Sequence, residues 1–178
     1  SGLEAAVLKA ATSGTLVFGV CGGYQMLGRT VSDPDQVEAA GVTKIAGMDL
    51  LPMDTVFYGE KVQTQTSGTF SDIEGMLASL NGIHYEGYEI HMGRSEESLN
   101  PVTGNGNVYG SYIHGIFDAP AVADTVLNAL CQQKGIDFEA LGTFDMRAYK
   151  EQQYDKLAAA VREGLDMELV YKILNREV

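Results

Sequence analysis

The stretch Leu16-Val17-Phe18-Gly19-Val20-Cys21-Gly22-Gly23-Tyr24-Gln25-Met26-Leu27-Gly28 constrains this chain more than any other. Its opening apolar run has the length and composition of a strand buried on both faces. The chain then turns through Cys21-Gly22-Gly23 and continues into what reads as the first turns of a helix. A side chain at such a corner sits on a sharp, strained turn with its head exposed above the sheet. Helix N–H groups beside a thiol favour its anion, so the Cys21 pKa is expected to be lowered. Gly22 and Gly23 fit the corner because a side chain there is expected to clash where the turn is tight and to crowd any carbonyl approaching the sulfur. A cysteine beside two turn glycines is commonly just a small core residue. The strand before it and the helix after it favour a nucleophile instead.

Composition sets outer limits. The 178 residues suit one α/β domain with a sizeable core. A net charge of −12 argues against binding nucleic acid or an anionic membrane through a general field. Two cysteines without a secretory signal fit a reducing cytoplasm. No apolar run is long enough to span a bilayer, and there is no G-x-x-x-x-G-K-[ST] loop for ATP. The histidines and cysteines lack C-x-x-C or H-x-x-x-H spacing, so no metal is expected.

Along the chain, Leu3 to Thr12 reads as an amphipathic helix ended by Ser13-Gly14, and Thr15 to Val20 as the strand before Cys21. Thr30 to Gly41 is polar, with a turn at Ser32-Asp33-Pro34-Asp35, and is expected to be a surface connection. Ile45–Leu51 and Thr55–Thr64 alternate as strands, with Lys61 on the second more simply a solvated lysine than an acid-binding one. In Ile83–Met92, Glu89 and His91 share one face, where they could hold substrate, or Glu89 could orient a histidine, or the two could simply pair to fix a loop. Arg94 is expected just past that strand, available to a substrate carboxylate or to water. Asn100–Asn107 is a loop by composition, and Val108–Ile113 a strand with His114 at its C-terminal end. Ligands of open α/β sheets bind at that end, which would bring His114 to Cys21 as its partner base. Asp118 is expected to cap a helix with Pro120 in its first turn, and Val122, Val126, Leu127 and Leu130 as its buried stripe. Cys131 reads as packing within it. Helices near 145–163 and from Asp166 carry apolar stripes that are expected to cover the sheet.

Three ordered motifs carry a resemblance. Gly19-Val20-Cys21-Gly22-Gly23-Tyr24-Gln25 is similar to the G-x-C-x-G-x-Q nucleophile elbow of class I glutamine amidotransferases. Gly87-Tyr88-Glu89-Ile90-His91-Met92-Gly93-Arg94 and Gly110-Ser111-Tyr112-Ile113-His114-Gly115-Ile116-Phe117 narrow it to the corrinoid-amidating branch, the cobyric acid synthase family. The similarity runs from about Leu16 to the C-terminus. It implies a three-layer, flavodoxin-like α/β fold with a mostly parallel sheet. It makes Cys21 the nucleophile and His114 the base, with Gly22, Gly23 and Gln25 binding glutamine and Glu89, His91 and Arg94 as further candidates. Ammonia would pass to an N-terminal ATP-dependent synthetase domain, where ATP and Mg belong, and on to a corrinoid acceptor. In the family the amidated groups are the b, d, e and g carboxylates of cobyrinic acid a,c-diamide. The resemblance implies no cofactor in this chain itself.

Triad amidotransferases usually follow their histidine with proline and glutamate, whereas His114 is followed by Gly115-Ile116, which implies a Cys–His dyad or a third residue from elsewhere. Only fourteen residues precede Thr15, and none matches the family's earlier glycine loop, so the chain is expected to be an N-terminally truncated part of a larger synthase. Its open sheet edge would make a homo-oligomer a candidate state. Other readings stay open: cobyrinate a,c-diamide synthase, a cell-wall amidating subunit, or a non-catalytic corrinoid-binding module of the same fold.

Overall fold

The computed structural model describes residues 2–95, 100–141 and 145–177. The chain falls into two compact units, Ser1–Gly142 and Thr143–Val178. In chain order the first holds α1 (Gly2–Thr12), β1 (Val17–Val20), α2 (Gly22–Leu27), β2 (Thr30–Ser32), β3 (Lys44–Ala46) and β4 (Asp54–Thr69). A 3-10 turn at Gly75–Leu80 leads to β5 (His84–Ser95), β6 (Thr103–Asn105), β7 (Val108–Ser111) and α3 (Pro120–Lys134). The second unit holds α4 (Met146–Gly164) and α5 (Met167–Leu174).

The strands form two sheets, ordered β1-β7-β6 and β3-β2-β4-β5. Pairing is parallel at β1–β7 and β2–β4 but antiparallel at β2–β3, β4–β5 and β6–β7. The α/β class stands; the expected mostly parallel sheet does not, because both sheets are mixed. The reason lies in β4, whose stretch from Gln63 to Thr69 is polar and largely open on both faces. Parallel strands need both faces covered, while an antiparallel ribbon tolerates water.

The strand buried on both faces is β7, not β1. All of Val108–Ser111 is buried, whereas in β1 only Gly19 is. β7 lies between two partners, and among the described residues β1 pairs only with β7, at the sheet's edge. The alternation of β7 splits the core. Tyr109 and Ile113 enter a cluster with Phe70, Leu77, Leu80 and Val122. Val108 and Tyr112 enter another with Tyr24, Leu27, Leu51 and Met53. Gly110 lets the two halves close, since a Cβ there would run into the Tyr24 ring.

Several boundaries differ from expectation. The polar connection after Thr30 begins as β2, and the loop before Asn107 contains β6, because short strands of three residues carry little periodic signal. The Asp33 carboxylate accepts from the Val37, Glu38 and Ala39 N–H groups, which pins that connection from inside. Asp118 is not the cap of α3: that position is Ala119, with no side-chain cap, and the Asp118 N–H donates to Gly115 O at 2.8 Å. Val122, Val126 and Cys131 are buried along α3, while Leu127 stays 41% exposed. In the second unit Asp145 caps α4 and Asp166 caps α5 by accepting from Ala148 and Leu169 N–H. Neither helix has a buried residue.

Candidate active site

Cys21 stands where β1 becomes α2, one step beyond the paired residues Val20 and Ser111. Its N–H continues the ladder by donating to Ser111 O at 2.8 Å. Its backbone is bent to φ 51° and ψ −112°, a conformation that a non-glycine residue holds only when its surroundings over-determine it. The glycine that permits the bend is Gly19: a Cβ there would stand 2.7 Å from Gly23 C and Tyr24 N. A Cβ at Gly22 or Gly23 would meet nothing within 4 Å, so the turn itself does not require glycine at those two positions. The expected clash in the turn is therefore not found.

The thiol differs from expectation too. Burial pushes the Cys21 pKa up, the Gly22 N–H opposes this, and the net shift is upward rather than down. A helix of six residues offers little dipole to offset desolvation. The sulfur donates to Ile90 O at 3.7 Å, a contact that also favours the neutral thiol.

His114 follows the C-terminal end of β7, the strand parallel to β1, so both side chains leave the same sheet edge. β5 crosses there. Tyr88 and His114 exchange backbone hydrogen bonds of 3.1 and 2.8 Å, and their rings stack at 5.1 Å with planes 10° apart. Two residues on, the Ile90 carbonyl takes the Cys21 thiol. One β5 segment therefore touches both candidate catalytic residues. Gly87 allows this approach, since a Cβ would strike the His114 carbonyl. A cavity of about 620 Å³ opens beside this crossing, lined by Glu86, Tyr88, Gly115 and Asp118 among others.

The other sequence candidates lie on or behind β5. Gln25 is 6% exposed, and its Nε2 faces Gly93, where a Cβ would be 2.5 Å away. Glu89 and His91 do meet, at 3.0 Å between Oε2 and Nε2, so the Glu89 carboxylate sits on His91 and not on His114. His91 Nδ1 donates to Gly93 O at 2.7 Å. Both ring nitrogens thus face acceptors. Arg94 lies within β5 rather than past it; its guanidinium reaches Glu60 at 3.1 Å and covers the Tyr58 ring at 5.4 Å. It is therefore paired across the irregular β4–β5 register at 57–62. Glu89, His91 and Arg94 share a second cavity of about 620 Å³ with Tyr112 and Ser95. Sequence reasoning missed the Ile90 carbonyl, the Tyr88 stack and the buried hydroxyls of Thr55, Ser95 and Tyr112. A backbone carbonyl has no sequence signature, and the hydroxyls come from β4, β5 and the residue just past β7.

Among the described residues no three His, Cys, Asp or Glu side chains gather as a metal site would require, and no helix is long and apolar enough to cross a membrane. Residues 1–122 match the CobB/CobQ-like glutamine amidotransferase domain. The chain belongs to that family. All of it aligns with a cobyric acid synthase of Lachnoclostridium phytofermentans at 49% identity over 203 residues, covering 39% of that protein. A cobyric acid synthase of Ruminiclostridium cellulolyticum is 43% identical over 197 residues, again across the whole chain and 38% of the relative. One from Parabacteroides distasonis is 40% identical over 96% of the chain and 35% of its own length. This amidotransferase domain thus spans under two-fifths of the curated relatives it matches.

Proposed function

We propose that the chain is the glutaminase half of a cobyric acid synthase. The observation that carries this is the placement of Cys21 and His114 beyond the ends of the paired parallel strands β1 and β7. In this reading Cys21 Sγ attacks the side-chain amide carbon of glutamine. The Gly22 N–H, beside the sulfur, stabilises the tetrahedral oxyanion. His114 takes the thiol proton, passes it to the leaving ammonia, and then activates the water that releases glutamate. Ammonia goes to an ATP- and Mg-dependent synthetase domain that amidates the b, d, e and g carboxylates of (adenosyl)cobyrinic acid a,c-diamide in cobalamin biosynthesis. The reading carries with it the flavodoxin-like three-layer arrangement of class I amidotransferases. It makes the isolated chain a weak glutaminase, because burial and the contact with Ile90 O both favour the neutral thiol.

The test is labelling with a glutamine-like diazoketone at neutral pH, with the adduct mapped by mass spectrometry. Saturable modification of Cys21, with Cys131 unmodified and His114→Ala slowing the reaction, is the expected result. Equal labelling of the two cysteines would sink the assignment. Joined to its synthetase domain, His114→Ala should lose glutamine-dependent amidation and keep ammonia-dependent amidation of the corrinoid.

A further inference from the structure

β5 carries an aromatic ring to His114, and the backbone decides where that ring lands. Tyr88 is paired with Gln65 of β4 and, by an isolated antiparallel bridge, with His114 just past β7. Residues that exchange both backbone bonds across such a bridge stand directly opposite, with their side chains as neighbours on one face. Tyr88 and His114 exchange them at 3.1 and 2.8 Å. Their rings accordingly lie flat against each other, centroids 5.1 Å apart and planes 10° apart, which is offset stacking. The crossing is tight, since a Cβ at Gly87 would strike the His114 carbonyl and the Ile113 side chain. Ile90, which gives its carbonyl to the Cys21 thiol, shares the Tyr88 face of β5. The Tyr88 ring is 47% exposed, borders the cavity with Glu86, Gly115 and Asp118, and belongs to neither core cluster. Core packing therefore does not account for it.

We propose that Tyr88 is the positioning residue for His114: its ring, set by the backbone bridge, fixes the plane of the imidazole and so its approach to the Cys21 proton. This rests on the glutaminase reading above. Tyr88 touches no reacting atom and acts through His114. An imidazole turns about two side-chain bonds, and a flat ring held against its face confines both turns. The stack uses the face of the Tyr88 ring and not its hydroxyl, so phenylalanine fills the role and leucine does not.

The experiment uses the full chain, with proton NMR of its three histidines and labelling of Cys21 by a glutamine-like chloroketone. In the wild type a nuclear Overhauser contact should join the Tyr88 and His114 rings. Tyr88→Leu should lose it and lower the limiting labelling rate roughly two- to tenfold, the worth of one aromatic pair. The half-saturating concentration should stay within about twofold, because the ring orients the base and not the substrate. Tyr88→Phe should restore both the ring contact and the rate. In a His114→Ala background Tyr88→Leu should have no further effect, because coupled residues are non-additive. Absence of the ring contact in the wild type would overturn the proposal without any variant. So would a Tyr88→Leu rate equal to the wild type, a Tyr88→Phe rate as low as that of Tyr88→Leu, or additivity with His114→Ala. Saturable wild-type labelling that His114→Ala slows, together with any of these, sinks this inference alone. Labelling that does not saturate, or that His114→Ala leaves unchanged, removes the glutaminase reading and this inference with it.

Discussion

Two influences oppose each other at Cys21: burial raises the thiol pKa and the Gly22 N–H lowers it, and burial prevails. The thiolate therefore forms above the usual range near about 8.5. Iodoacetamide alkylation at Cys21 should still be climbing with pH where that of a free thiol, such as N-acetylcysteine, has levelled off. A plateau below that range would contradict the shift. The stability sign follows: below the unfolded pKa both states are protonated, and as pH rises through it toward the folded value the folded state loses stability. Tyr24 offers a second residue-scale test. Its ring is fully buried, and its hydroxyl has no hydrogen-bond partner among the described residues. Removing an unsatisfied buried group relieves its desolvation cost, so Tyr24→Phe should stabilise the fold by about 1 kcal/mol in urea melts. A loss of that size would show that the hydroxyl is satisfied in solution.

At the scale of elements, the corner between β1 and α2 separates two kinds of glycine. Gly19→Ala would press a methyl against the backbone of Gly23 and Tyr24, so α2 must lift from the strand. Overpacking of this kind costs roughly 1–3 kcal/mol, and the elbow geometry should be lost with it. Gly22→Ala meets nothing in the folded chain. It should melt like the wild type. A shared melting defect would return Gly22 to a purely conformational role. The corner itself was legible, since an apolar run, a Cys-Gly-Gly break and a helical run follow one another within thirteen residues. The direction of the thiol shift was not. It depends on how much chain covers the sulfur, and β5, which supplies Ile90, lies about seventy residues away.

For the molecule as a whole, β7 sets the energetics by feeding both core clusters. Leu77, fully buried in one of them, should cost roughly 2–5 kcal/mol when cut to alanine. Leu3, 68% exposed on α1, should cost no more than about 0.5 kcal/mol although both leucines look equally apolar in sequence. Comparable losses in thermal melts would mean that α1 is covered in solution.

The sequence by itself determined the local pieces: the cysteine corner, the strand leading to His114, the α3 stripe through Val122 and Val126, and the pairing face of Glu89 and His91. Each is set by spacing along one element, where period and turn chemistry act directly. Only the tertiary structure decided that β7 and not β1 is the covered strand, that the sheets are mixed, that Arg94 is held by Glu60, and that Glu89 serves His91. These depend on which segments meet across long separations, and a local pattern does not encode the identity of its neighbour. The same limit applies to Tyr112, whose hydroxyl meets Ser95 of β5 and through it Thr55 of β4, a chain that exists only after those elements have packed.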